Sequence, residues 1–305
     1  VDGLRTAAGA ALDAAAGNVA FARAALGAGV PLWADRPARP RAFHVVHPCG
    51  MSLVWGPDVA AAHGAVADHL RARRRAEWLQ VEPRWADLDW DGALGAVPAD
   101  GAGARATGCV RHARVGLALD PRAHAAYAAG AAGATTGTTG TTGTTGTTGT
   151  TGTTGTTGTT GTTGTAAAAG AAAAAHRVPP GWRVRPATAA DFAWPGTVVP
   201  AGYWPDAGAF LAAGGGVVAE RDGVVGAMAF TAFRDGVDQE IGIETDPAHR
   251  RQGLAAAAAA ALVAQVVAAG RTPVWSCREG NAGSVALARA LGFVPVSRAP
   301  YWHLP

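Results

Sequence analysis

Thr245-Asp246-Pro247-Ala248-His249-Arg250-Arg251-Gln252-Gly253-Leu254-Ala255 is the stretch on which the reading of this chain turns. Before it, Glu240-Ile241-Gly242-Ile243-Glu244 has the pattern of a strand. After it, an alanine-rich run from about Arg251 to Ala268 has that of a helix. The junction is therefore a strand feeding a helix N-terminus. The first N–H groups of a helix have no partner inside it, and they sit at the positive end of its dipole, so they attract anions. Gly253 and Ala255 are small enough to let backbone approach a ligand, and Arg250 and Arg251 add charge. A pyrophosphate is the natural guest. Taken alone, Arg-x-x-Gly-x-Ala is equally compatible with a capped surface helix, so the surroundings have to decide.

Working outward, Trp182–Pro186 reads as a strand and Thr188–Asp191 as a helix start. Gly216–Glu220 and Val224–Phe230 flank Arg221-Asp222-Gly223, a hairpin signal, and Arg234-Asp235-Gly236 is a further turn. A strand at Pro273–Cys277, a helix at Ala282–Leu291 and a last strand after Gly292-Phe293 complete the order. This order, with Arg250-x-x-Gly253-x-Ala255 and the later run from Asn281 through Leu291-Gly292-Phe293, resembles the GNAT acyltransferase superfamily. Val199-Pro200, Tyr203-Trp204, Phe210-Leu211, Gly214-Gly215-Gly216 and Pro273-Val274-Trp275-Ser276-Cys277 look like the branch that includes zwittermicin A resistance acetyltransferases. The resemblance covers residues 182–297 well and continues weakly through Phe43–Gly56 and Trp78–Pro83.

The resemblance implies an acetyl-CoA-dependent N-acetyltransferase that acts on a primary amine by direct transfer in a ternary complex. The strand at Ile243–Thr245 would part from that at Pro273–Cys277, leaving a gap for the pantetheine arm. Ile243 and the Thr245 backbone would line the arm. Arg250, Arg251, Gln252, Gly253, Leu254 and Ala255 would hold the pyrophosphate. Asn281 and Ser284 would sit beside the pantetheine. An amine must be neutral to attack, and a lysine-like amine titrates near about 10, so a base or a water relay is needed. Glu240 and Glu244 are the candidates, on one strand face by parity, with Glu240 nearer the position where the superfamily often places its base. The superfamily's usual general-acid tyrosine falls at Ala288, leaving Tyr203, Tyr301 and His303 as substitutes to be placed. A second class fits that departure: an acetyl-CoA-binding regulatory or sensing module with little chemistry.

The rest of the 305 residues divides around ten consecutive Thr-Thr-Gly triplets at 135–164. Alanine and glycine flank them, so residues 129–176 offer nothing to pack and read as a disordered tether. The expected organisation is an α/β domain at 1–128, this linker, and the GNAT domain at 177–305. In the first part, Thr6–Leu26 reads as one alanine-rich helix, Phe43–Val46, Ser52–Trp55 and Trp78–Val81 as strands, and Pro57-Asp58 as the opening of a helix to about Arg75.

All 25 basic residues are arginine, and a net charge of +3 spread along the chain does not argue for nucleic acid. Three scattered cysteines make no disulfide framework. The longest apolar stretch, Leu254–Ala264, falls short of the roughly 20 residues a bilayer span needs. No export signal is read, so a cytoplasmic location without membrane contact is expected. His44-x-x-His47-x-Cys49 alternates across a strand and lacks a fourth ligand, so no metal is expected. His249 reads as a solvated loop side chain, Cys277 as a small buried residue, and Trp78, Trp85 and Trp90 as core.

Overall fold

The alanine run at the start folds as two helices, not one: α1 (Asp2–Asp13) and α2 (Ala20–Gly27). Gly17 takes φ +89°, and the Asn18 Oδ1 accepts from the Ala20 N–H at 3.2 Å. An Asx turn of this kind competes with the helix for the same backbone groups, and here it wins over alanine's propensity. The computed structural model describes residues 2–73, 75–99, 108–133 and 178–305, with side chains of 128–133 left aside. Most of the expected linker, 134–176, lies outside the described residues, and its first residues end a helix.

The first half continues with β1 (Leu32–Ala34), β2 (Phe43–Val46), β3 (Met51–Trp55), α3 (Val59–Ala72), β4 (Glu77–Val81), α4 (Trp90–Leu94), β5 (Val97–Pro98), β6 (Val110–Leu119) and α5 (Pro121–Gly133). The second half contains β7 (Arg183–Pro186), α6 (Ala207–Ala212), β8 (Gly216–Arg221), β9 (Val224–Asp235), β10 (Asp238–Thr245), α7 (Leu254–Ala268), β11 (Thr272–Arg278), α8 (Ala282–Ala290) and β12 (Phe293–Leu304). The expected helix at Thr188–Asp191 is a short 3-10 turn, Ala189–Ala193, opened by a Thr188/Asp191 capping box. Among the described residues, no helix is long and apolar enough to cross a membrane.

These strands form one mixed sheet in the order β1-β2-β3-β4-β12-β6-β11-β10-β9-β8-β7, with β5 on β6. Each half holds a parallel strand–helix–strand unit: β3-α3-β4 in the first and β10-α7-β11 in the second. Beside each parallel pair lies the final strand of the other half, β12 next to β4 and β6 next to β11. The halves thus exchange their last strands, and β6 and β12 pair in the middle from Phe293↔Leu119 to His303↔Val110. The strand at 110–119 is absent from the sequence reading; alanine and glycine dilute its alternation.

The packing interlocks in the same way. Phe21 of α2 and Trp55 of β3 share a buried cluster with Phe230 and Phe233 of β9. On the other face, α7 lies against the second half's strands with Ala258 and Ala259 fully buried, where small side chains let the helix sit close to the sheet. That cluster also takes in Leu117 of β6, Trp275 of β11 and Phe293 of β12.

Candidate active site

Arg251 (φ +60°) and Gly253 (φ +84°) both sit in left-handed backbone, so α7 begins at Leu254 rather than at Arg251. The N-cap is Gly253, and no side chain caps the helix. Its first N–H groups have no partner within the helix. Arg250 and Arg251 are exposed and form no ion pair among the described residues. A cleft of about 560 Å³ opens here. Of the residues read from the sequence as cofactor contacts, Ile243, Thr245, Arg250, Arg251, Gly253, Leu254, Ala255, Asn281 and Ser284 line it, while Gln252, exposed on the same loop, is not among its lining residues. Asn281 caps α8, its Oδ1 accepting from the Ser284 N–H at 3.2 Å, and Ser284 Oγ accepts from the Trp275 indole N–H at 3.0 Å. His249 also borders the cleft, edge-on to Trp182 at 5.0 Å between ring centres.

The cleft exists because β10 and β11 part. They pair only from Asp238↔Thr272 to Glu240↔Val274. Beyond that point β10 stays with β9 to Thr245, while β11 turns to β6 as far as Arg278. The corresponding pair in the first half stays together from Met51↔Trp78 to Val54↔Val81, and Asp58 caps α3 by accepting from the Ala61 N–H at 3.2 Å. That unit has no gap and carries a carboxylate where an anion would bind.

A second cavity, about 350 Å³, lies at the mouth of the opening between the two halves. Glu240 is its buried anion, 5% exposed. Its Oε2 accepts from the Asn18 amide at 2.7 Å; its Oε1 accepts from the Ser276 hydroxyl at 2.5 Å and pairs with the Arg114 guanidinium at 3.2 Å. Arg114 also donates to Ser276 Oγ at 2.5 Å. Asn18 and Arg114 come from the first half and were not anticipated. Their distance in sequence left no local signal. Glu244, on the same strand face, does something else. Its Oε2 accepts from the Thr197 and Val198 N–H groups at 3.1 and 2.9 Å, pinning that loop to β10.

Ala288, at the position of the superfamily's tyrosine, is fully buried and packed in the core. Of the substitutes, Tyr203 and Tyr301 line the second cavity and His303 does not. Burial pushes the Tyr301 hydroxyl up to about 12 and raises that of Tyr203 further, so both stay protonated near neutrality. Cys49 also faces the cavity, with its Sγ 3.1 Å from His47 Nδ1, and burial raises the thiol to about 11. His44 sits instead between Glu77 (3.1 Å) and His69 (3.1 Å). Cys277 is buried, its thiol also raised by burial. Trp90 is core, as read from the sequence; Trp78 is not, since it forms a wall of the second cavity.

An uncapped helix N-terminus thus stands above two parted strands in a mixed α/β sheet. Residues 187–301 match the family model described as GNAT acetyltransferase. This part of the chain belongs to that family and is a GNAT N-acetyltransferase domain; GNAT acetyltransferases use acetyl-CoA. The GCN5-related N-acetyltransferase-like protein from Streptococcus suis 89/1591 aligns over 100% of this chain and 99% of its own, with a TM-score of 0.62 and 14% identity. The tandem GNAT protein from the clavulanic acid biosynthesis pathway aligns over 99% and 94%, with a TM-score of 0.54 and 14% identity. A GNAT-family acetyltransferase from Colwellia psychrerythraea gives 100% and 97%, 0.50 and 10%. At these identities the likeness is one of fold, and that fold is tandem GNAT-like. No curated protein matches the sequence.

Proposed function

We propose that this protein transfers the acetyl group of acetyl-CoA directly to a primary amine on a small molecule, with both substrates bound together. The observation that carries this reading is that the two cavities share Ile243, Asn281 and Ser284 as walls. One is a cleft suited to an anionic, elongated ligand; the other is a cavity of small-ligand size. They meet where the strands part.

Acetyl-CoA supplies the activated acetyl group. The N–H groups at the start of α7, with Arg250 and Arg251, are suited to its pyrophosphate, and Ile243, Thr245, Asn281 and Ser284 to its pantetheine. Much of the rate then comes from alignment. An ionised carboxylate offers about four acceptor sites. Asn18, Ser276 and Arg114 occupy three on Glu240, which leaves room for one donor from the amine. Glu240 takes the amine's proton, directly or through water, and Glu244 orders the loop over the acceptor. Tyr301 and Tyr203 are the hydroxyls placed to give a proton to a departing thiolate. In this reading residues 1–128 complete the acceptor side, contributing Asn18, Cys49, Trp78 and Arg114, and 177–305 hold the cofactor. A place in the branch with zwittermicin A resistance acetyltransferases rests on the Val199–Gly216 and Pro273–Cys277 motifs.

The test is thiol release from acetyl-CoA across a panel of primary amines, with mass spectrometry of the products. Product heavier by one acetyl group supports the proposal. An acetyl-CoA-induced rise in melting temperature without thiol release from any amine would instead mark a binding module.

A further inference from the structure

The charges around the acceptor cavity do not balance. Glu240 is matched by Arg114 at 3.2 Å. Arg278, at the end of β11, has no such match: its guanidinium forms no ion pair or hydrogen bond among the described residues and lies over the Trp78 ring, 4.9 Å from its centre. The adjacent acid, Glu279, is held by Arg298 through two hydrogen bonds of 2.9 and 2.8 Å. The imidazoles near Trp78, His112 and His303, carry no negative charge to match it, and burial followed by Arg278 holds both below their usual range.

The geometry places this free guanidinium in register with the matched one. Arg278 and Arg114 are directly opposite in the β6–β11 ladder. Arg114 lies over Tyr301 (5.3 Å), Tyr301 stacks on Trp78 (5.0 Å), and Arg278 lies over Trp78. Along β11, Ser276 and Arg278 are two residues apart, so they share a face with about 7 Å between them. Ser276 is bonded to Glu240. The cavity therefore presents a carboxylate bonded to Ser276 and, one strand repeat beyond Ser276 on β11, an exposed guanidinium without an ion-pair partner among the described residues, beside an aromatic wall. The reach of an α-amino acid, with a hydrogen bond of about 2.8 Å at each end, is comparable to one such strand repeat.

We propose that the acceptor is an amino acid or a close analogue with an apolar side chain. Its amine meets Glu240, its carboxylate meets Arg278, and its side chain lies against Trp78, Met51 and Phe233. This rests on the reading above that the cavity receives the acceptor amine. A planar guanidinium takes a carboxylate through two parallel hydrogen bonds, which a lysine cannot reproduce.

The experiment compares thiol release by the full chain with L-leucine, L-leucinamide and isoamylamine, and with L-phenylalanine and phenethylamine, at saturating acetyl-CoA. The carboxylate-bearing amines are expected to give kcat/KM at least about tenfold above their partners that lack the carboxylate, the range of one charge-assisted contact. Arg278→Gln should collapse that ratio toward one, chiefly through KM for the amino acid, and Arg278→Lys should restore part of it. Arg278 is exposed, so neither change threatens the fold. Equal rates with and without the carboxylate, turnover confined to amines lacking one, or a wild-type ratio in Arg278→Gln would each overturn the inference while leaving the transferase reading intact. An absence of turnover with every amine would overturn both.

Discussion

Gly253→Asp separates the anion site from the fold that carries it. A Cβ at Gly253 would meet only Pro179 Cγ, at 3.8 Å, so there is space for a side chain. The cost lies in the φ of +84°, about 1–2 kcal/mol for an L-residue in left-handed backbone. An aspartate at a helix N-terminus recovers about 0.3–1 kcal/mol from the dipole. The net folding cost is about 1 kcal/mol, a fall of about 2–4 °C in melting temperature. Binding should suffer far more. The new carboxylate competes for the N–H groups ahead of Ala257 and repels phosphate. Losing two charge-assisted hydrogen bonds, about 1.5–3 kcal/mol each, lowers affinity by at least about 10²-fold. At a ligand concentration of about 100 Kd, acetyl-CoA stabilises the native chain by about 2.7 kcal/mol, a rise of about 5–10 °C. At the same concentration the variant should gain about 0.4 kcal/mol, or about 1 °C. Thermal unfolding with and without acetyl-CoA measures both quantities, and Gly253→Ala isolates the backbone contribution. A wild-type shift in Gly253→Asp would refute the placement of the pyrophosphate on this helix.

Three further outcomes follow from the same structure. Glu240→Gln should lower turnover by about 10²–10⁴-fold, with partial recovery at higher pH where more of the amine is neutral; because the change also strips Arg114 of its counter-charge, a retained acetyl-CoA thermal shift must accompany the loss, and near-normal turnover would move the base elsewhere. Leu117→Ala, at a 2% exposed position on β6, should cost about 2–5 kcal/mol in urea unfolding; since β6 lies inside the second half's sheet, acetyl-CoA binding should weaken with it, and a cost under about 1 kcal/mol would contradict the strand exchange. His47 is 2% exposed, and burial lowers its pKa to about 4 from an ordinary 6.5. The unfolded chain therefore binds the extra proton between those values, so His47's contribution is complete above pH 6.5 and lost as pH falls towards 4, at about 1.4 kcal/mol per unit. Denaturant midpoints from pH 7 to 4.5 should fall less steeply in His47→Gln, and an unchanged slope would remove His47 from the account.

The anion loop was legible in the sequence because it is local. The groups proposed to hold the pyrophosphate are consecutive backbone N–H groups from Arg251 to Ala255, and small residues at the right spacing are enough to announce them. Glu240 and Glu244 were legible as a pair for a related reason: a strand's two-residue period puts them on one face whatever surrounds it. Their separate surroundings were not legible. Glu240 is held by Asn18, Arg114 and Ser276, which are 222, 126 and 36 residues away in sequence. Glu244 is committed to a loop 46 and 47 residues back. Contacts over such separations leave no periodic trace, so only the folded sheet brings them together. The same holds for the exchange of β6 and β12, and for Trp78, which as sequence looks like core. Hydrophobic pattern specifies that a segment is a strand and which face is apolar; which strand it pairs with is decided by the packing of the whole chain. The sequence by itself determined the loop proposed for the cofactor, and the tertiary structure decided the surroundings of the cavity proposed for the acceptor, because a helix N-terminus is contiguous backbone whereas that cavity is lined by side chains assembled from both halves.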